Sequence, residues 1–360
     1  MLEGALRGVV DPELGVDIVE LGMVRGVHLD GSVARIDLAL TMASCPHRKQ
    51  IEDDVRQAVA AVPGVGEVDI AVAIMTPEQR SHTMATVRRR SRNNPAVHSI
   101  GPLTRVAAVG SGKGGVGKSS ISVNLALALA DDGLRVGLLD ADIWGYSIPR
   151  MLGLTGSRLE AGPEHTILPL EASGLQVVSV GLMLDDEDTA LMWRGPMLSR
   201  ALEQLLRDVA WDPALDYLLI DLPPGTGDVQ LALARLLPQA AMVVVTTPQT
   251  AARKVAARLA DMACRSALPV VGVIENMSGF TAQDGRHYQI FGSGGGAALA
   301  DELGAPLLAQ VPIDPAVAEG GDEGKPVVRA FPGNPAARAI ILAAKRLVTL
   351  LPPDGTGTAG

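Results

Sequence analysis

The chain has 360 residues, 47% of them hydrophobic and 2% aromatic, and a formal net charge of −9 at pH 7. That length holds two domains and that apolar fraction fills substantial cores, while the acidic balance argues against general nucleic-acid affinity. No apolar run approaches the roughly 20 residues of a spanning helix, and Met1-Leu2-Glu3 opens without the basic and apolar segments of a secretory signal, so a cytoplasmic protein without a membrane partner is expected.

Residues 1–85 read as a small α+β domain. A helix near the start precedes strands at Gly26–Leu29 and Val33–Leu40, joined at Asp30-Gly31; the second alternates, Val33, Ile36 and Leu38 against Arg35 and Asp37. A helix over about Pro46–Ala61 and a strand over Val65–Ile74 complete it. Residues 86–102 contain Arg88-Arg89-Arg90-Ser91-Arg92-Asn93-Asn94-Pro95, a basic, turn-rich run that reads as an exposed linker.

From 103 to 351 strands and helices alternate, the pattern of a doubly wound, mostly parallel sheet in an α/β domain. Strands are expected at Arg105–Gly110, Val136–Asp140, Gln176–Val180, Tyr217–Asp221, Ala241–Val245 and Val270–Ile274. Scarce aromatics leave Ala, Val, Leu and Ile to fill the interior, which suits such a sheet under small-residue helices. A helix over Asn334–Leu351 is expected to pack on the sheet, and 352–360 reads as a flexible tail.

Between the first strand and an apolar helix at Ser120–Ala130 lies Gly112-Lys113-Gly114-Gly115-Val116-Gly117-Lys118-Ser119. Glycines at these positions let successive N–H groups turn inward onto an anion, Lys118 reaches β- and γ-phosphates, and the Ser119 hydroxyl suits Mg²⁺. A nucleoside triphosphate is the implied ligand, gripped from Gly112 to Ser120 at a helix N-terminus. Lys113 is an additional cation inside the loop; one physical option is that it stabilises charge on a partner's γ-phosphate, as an arginine finger does, and another is a solvated lysine beside an anionic site.

In doubly wound sheets ligands bind where strands end, and two strand ends here are acidic. Asp140-Ala141-Asp142 places two carboxylates on one side, one for Mg²⁺ through water and one to orient an attacking water. Asp221-Leu-Pro-Pro-Gly-Thr-Gly-Asp228 ends another strand in a rigid turn, with Asp221 placed for a metal and the Gly225 N–H for sensing a γ-phosphate.

Together with Asp140-Ala-Asp-Ile-Trp-Gly-Tyr-Ser-Ile-Pro149, Trp193-Arg-Gly-Pro196 and Glu275-Asn-Met-Ser278, these motifs resemble the Mrp/ApbC family, a branch of the deviant Walker-A ATPases that also holds MinD/ParA proteins. The likeness spans about 103–350. Asp11-Pro12-Glu13 and Thr41-Met-Ala-Ser-Cys45-Pro46 are similar to the MIP18-type domain often fused ahead of this ATPase. The resemblance implies a Mg²⁺-dependent ATPase, slowly turning over as a homodimer, that carries iron–sulfur clusters from assembly proteins to apoprotein clients. It implies Lys113 acting in trans, Lys118 and Ser119 on phosphate and Mg²⁺, Asp142 near the hydrolytic water, Asp221 on the metal's outer shell, and Asn276 facing adenine, while the strand-end reading adds Asp140 near the metal.

One departure stands out. Where the family usually carries a Cys-x-x-Cys pair, this chain reads Thr281-Ala-Gln-Asp-Gly-Arg-His-Tyr-Gln289. A [4Fe–4S] cluster normally takes four thiolates, so that site cannot form in its usual way. Of the two cysteines, Cys45 is the candidate cluster ligand or a small buried residue, and Cys264 is expected to be packed inside a helix. His287 reads as a surface loop residue. A MinD/ParA-like nucleotide-timed dimer switch, or a scaffold without a cluster, stays open as the alternative.

Overall fold

The computed structural model describes residues 2–12, 16–40, 48–76, 79, 83, 86, 100–101, 103–163, 166–183, 195–266 and 268–353. They group into two compact units, 1–94 and 95–360.

In the smaller unit, helices α1 (Leu2–Leu6) and α2 (Arg48–Ala60) accompany a sheet of β1 (Val24–Asp30), β2 (Val33–Leu40) and β3 (Glu67–Ile74). β2 is central, antiparallel to β1 and parallel to β3. Its buried face is Ala34, Ile36 and Leu38, with Val33 only half-buried, as period-two alternation from Ile36 requires. Ile51, Val55 and Val59 recur every four residues on α2 and close the core against Leu6 and Leu21.

The larger unit is built on one sheet. In chain order its main elements are β4 (Arg105–Ser111), α3 (Lys118–Asp131), β5 (Val136–Asp140), α4 (Ile148–Met151), β6 (Leu170–Ala172), β7 (Leu175–Ser179), α5 (Gly195–Asp208), β8 (Tyr217–Asp221), α6 (Asp228–Leu236), β9 (Ala241–Thr246), α7 (Thr250–Arg265), β10 (Val270–Thr281), β11 (His287–Tyr288), α8 (Gly295–Leu303), β12 (Leu307–Ile313), α9 (Pro315–Asp322), α10 (Val327–Ala330) and α11 (Pro335–Leu350). Among the described residues the strand order is β11-β10-β9-β4-β8-β5-β7-β6, with β12 also on β10. The strands from β12 and β10 across to β7 run parallel, while β6 and β11 are antiparallel additions at the rim. Each parallel strand is covered on both faces, which is why β8 and β9 are buried at every position.

Two apolar layers result. One lies between the sheet and α5, α6 and α7; the other lies between the sheet and α3, α10 and α11. Helix α3 is apolar around its whole circumference because it is sandwiched between the sheet and α11. Alanines on both helices let the backbones approach closely. The terminal helix therefore packs inside the fold, its Asn334 side chain capping the first turn by accepting from Ala336 N at 2.8 Å.

β4 lies centrally, between β8 and β9. β4 connects forward past β8 to β5 while β8 connects the other way past β4 to β9, so the connections diverge between these two neighbouring strands. At such a switch point the loops leave to opposite faces and open a crevice beyond the strand ends. The glycine-rich loop follows β4 directly into it.

Leu125 is fully buried on α3 in the layer beneath α11. Leu125→Ala is expected to destabilise this unit by about 2–5 kcal/mol, read from the urea midpoint; a loss below about 0.5 kcal/mol would contradict this packing.

Candidate functional site

The crevice holds a cavity of ≈ 470 Å³. Loop residues 114–120 wall it on one side, and Asp142, Trp144, Ser147, Met151 and Pro224 face them. The glycines of the loop answer to contacts. A Cβ on Gly112 would come 2.3 Å from the backbone of Val255 on α7, and one on Gly117, whose φ is +80°, would meet the Asn276 amide at 2.2 Å. Any larger residue at either position would push the loop away from its seat.

The charged centre is one carboxylate with three donors. Asp221 at the end of β8 accepts from Lys118 Nζ at 2.6 Å and Ser119 Oγ at 2.6 Å through one oxygen, and from Ser122 Oγ at 2.6 Å through the other. Lys118 also stands 3.6 Å from Asp142. Asp221 is fully buried and Lys118 is 6% exposed. A charge so far from water is tolerated because its partner and hydrogen bonds are complete.

Register explains the convergence. Asp221 lies beside Asp140 on β5 and Val109 on β4, so the acidic strand ends sit level with the start of the loop. Asp140, expected near the metal, is occupied differently. Its oxygens accept from Asp142 N at 3.2 Å, Ser179 Oγ at 3.1 Å and Ile148 N at 3.4 Å, and it does not line the cavity. Its position is that of a brace for the loop carrying Asp142 and Trp144. Burial, and secondarily the Asp221 carboxylate, push Asp140 up to about 7. Burial also raises Asp142, which lines the cavity and accepts from Gly145 N at 3.2 Å.

Three further positions are engaged within the chain. Lys113 Nζ donates to Gln249 Oε1 at 3.2 Å, at the start of α7, and Thr247 Oγ1 shares that acceptor at 3.3 Å. Gly225 N donates to Ser111 O at 2.8 Å, so in this structure that N–H holds β4 instead of facing an anion. Asn276 is 8% exposed and donates to Val116 O at 2.9 Å, fastening the loop from the middle of β10. Beneath it the fully buried Glu275 accepts from Gly296 N and, at 2.7 Å, from Gln310 Nε2, tying α8 and β12 to the same strand. Ser122 and Glu275 were not among the expected site residues; Ser122 lies one helical turn beyond Lys118, the only hint the chain offers for it.

Cys45 lies outside the described residues, as do Trp193 and Arg194. Cys264, expected to be packed inside, is exposed on α7, because Ala260 and Ala263 take the inward positions. His287 is exposed, 3.3 Å from Thr281 Oγ1. Among the described residues no group of three or more His, Cys, Asp or Glu side chains is arranged to hold a metal.

Residues 102–348 match the family model described as NUBPL iron-transfer P-loop NTPase. The chain belongs to this family of P-loop NTPases. Residues 1–70 match a second model, an iron-sulfur cluster assembly protein domain. Among its relatives are proteins named iron-sulfur cluster carrier protein: one from Mycobacterium bovis is 47% identical over 92% of this chain and 88% of its own length, and one from Deinococcus radiodurans is 45% identical over 95% and 93%. Among solved structures, an Archaeoglobus fulgidus nucleotide-binding protein in complex with ADP is 32% identical, with a TM-score of 0.56 over 69% of this chain and 95% of that one. The Pyrococcus furiosus cell division ATPase MinD shares the fold, at 24% identity and a TM-score of 0.51 over 68% of this chain and 99% of its own.

Because the folded-state pKa of Asp140 lies above its unfolded value, the native state binds the extra proton between about pH 4 and 7. That contribution is complete below about pH 4 and is lost as the pH rises through about 7. In urea titrations Asp140→Asn is expected to show a smaller fall in stability from pH 4.5 to 7.5 than the unaltered chain; an identical fall would contradict the brace described for Asp140.

Proposed function

We propose that this protein binds ATP with Mg²⁺, hydrolyses it slowly as a homodimer, and carries iron–sulfur clusters to apoprotein clients. The observation that carries the nucleotide part is the glycine loop closing on a buried Lys118–Asp221 pair at the sheet's switch point. The cargo part rests on relatives named as cluster carriers across nearly the whole chain and on the assembly-type model at residues 1–70.

In this reading ATP binding is an exchange of partners. Lys118 leaves the Asp221 carboxylate for phosphate oxygens, which frees Asp221 and Ser119. Both are hard oxygen donors already bonded at 2.6 Å, a set that fits Mg²⁺. The metal when bound supplies charge compensation for the phosphates. Loop amides hold the triphosphate, and Asp142 at the cavity wall orients water. Lys113 gives up Gln249 and reaches the γ-phosphate of the partner, which makes turnover depend on dimerisation. Asn276, through its side chain on Val116, sets the loop's base-proximal edge.

The cluster is cargo, and its thiolates are scarce. With Cys264 exposed on a helix and none between residues 280 and 290, Cys45 of the small unit, one from each protomer, is the proposed ligand. The same scarcity favours a second reading, a nucleotide-timed dimer switch or scaffold that holds no cluster.

Calorimetry is expected to find Mg²⁺-dependent ATP binding that Lys118→Ala weakens at least about tenfold, while Lys113→Ala binds ATP but loses nucleotide-linked dimerisation and turnover. No affinity for ATP would reject the nucleotide reading, and full turnover in Lys113→Ala would reject the trans lysine. Anaerobic reconstitution with iron and sulfide is expected to give a visible charge-transfer band that Cys45→Ser abolishes. A colourless protein that still binds ATP would leave the switch reading in place of the carrier.

A further inference from the structure

Gln230, in the first turn of α6, is fully enclosed, and only half of its amide is used. Its Nε2 donates to Pro223 O at 2.7 Å, at the root of the turn that follows Asp221. Its Oε1 is buried and has no hydrogen-bond partner. A buried acceptor left unmade costs free energy of about 1–3 kcal/mol, so it calls for an explanation.

The missing donor is close by. Gly227 caps α6 with Gln230 three residues on, the spacing at which a Gln side chain reaches back to the N–H of the capping residue. A Cβ on Gly227 would lie 3.7 Å from Gln230 Oε1. Among the described residues Gly227 N has no acceptor. The capping interaction is thus set up and not closed. Two residues earlier Gly225, with φ at +97°, spends its N–H on Ser111 O, one residue before the glycine loop, and Pro224 immediately before Gly225 lines the cavity. The turn is therefore tied to the loop at one end while its receiving group on α6 waits at the other.

We infer that Gln230 is a positioning residue for nucleotide-dependent movement of this turn. When a γ-phosphate draws the Gly225 N–H away from Ser111 O, the turn pivots about the Pro223 O···Gln230 Nε2 bond, and the Gly227 N–H closes onto Gln230 Oε1. The orphaned acceptor is satisfied only in the triphosphate state, which favours that state and aligns the turn for hydrolysis. The inference rests on the ATPase reading and adds to it a residue that touches neither nucleotide nor metal.

Hydrogen exchange on the full-length chain tests it with Mg²⁺–ATPγS and Mg²⁺–ADP as probes. In the unaltered protein both nucleotides should slow exchange in the glycine loop, and only ATPγS should slow the peptide covering Gly225–Gln230. Gln230→Met, which removes donor and acceptor at similar volume, should keep the loop protection and an ADP dissociation constant within about twofold, lose the ATPγS-specific protection of the turn, and lower kcat at least about tenfold. Retention of turn protection and of kcat in Gln230→Met would overturn the inference while leaving the ATPase reading intact. Absence of loop protection in the unaltered protein would remove the ATPase reading and this inference with it. A Gln230→Met chain that lost loop protection as well would mark Gln230 as a fold residue and would likewise overturn it.

Discussion

The Asp221 carboxylate organises the larger unit's chemistry. A fully buried anion at a strand end must be neutralised, and here two of the groups that do so line the cavity, Lys118 directly and Ser119 through its hydroxyl, while the buried Ser122 hydroxyl serves the other oxygen. The loop is consequently held shut on itself by the charge that a nucleotide and its metal would have to displace. The resting geometry of the loop, the burial of Lys118 and the placement of Ser119 all follow from that one anion.

Around this centre the structure shows a set of small fastenings between the loop and neighbouring strand ends. Asn276 holds Val116 from β10, Gly225 holds Ser111 from β8, and Gln249 holds Lys113 from the start of α7. Each is a single hydrogen bond, of a strength that exchange for a phosphate oxygen can overcome. Beneath them Asp140 and Glu275 are buried carboxylates whose oxygens accept from backbone amides and neighbouring side chains, and they stiffen the strand ends from which the fastenings project. The site thus combines a rigid base with lightly tied edges.

Residues 281–289, which contain no cysteine, fall on an exposed hairpin, β10 to β11, where Thr281 and His287 pair. The hairpin needs no metal to form, since Phe280 and Tyr288 continue the sheet. The hairpin therefore closes without a cysteine.

Much was legible in the chain itself. Runs such as Tyr217–Asp221 and Ala241–Thr246 announce strands buried on both faces, and a glycine loop between strand and helix announces an anion site, because these signals are local and their physics is set by backbone conformation and periodicity. The continuation of β10 to Thr281, the strand Leu307–Ile313 and the outward face of Cys264 were not, since each depends on which neighbour covers it. Likewise, spacing put Asp140 and Asp142 together as carboxylates but could not say which would turn inward. The sequence by itself determined the central strands, the glycine loop with its helix, and the class of ligand. Only the tertiary structure decided that Asp221 takes Lys118, that Asp140 braces and does not face the cavity, and that Gln230 keeps an acceptor in reserve, because partner choice among buried polar groups is settled by strand register and packing between separate elements.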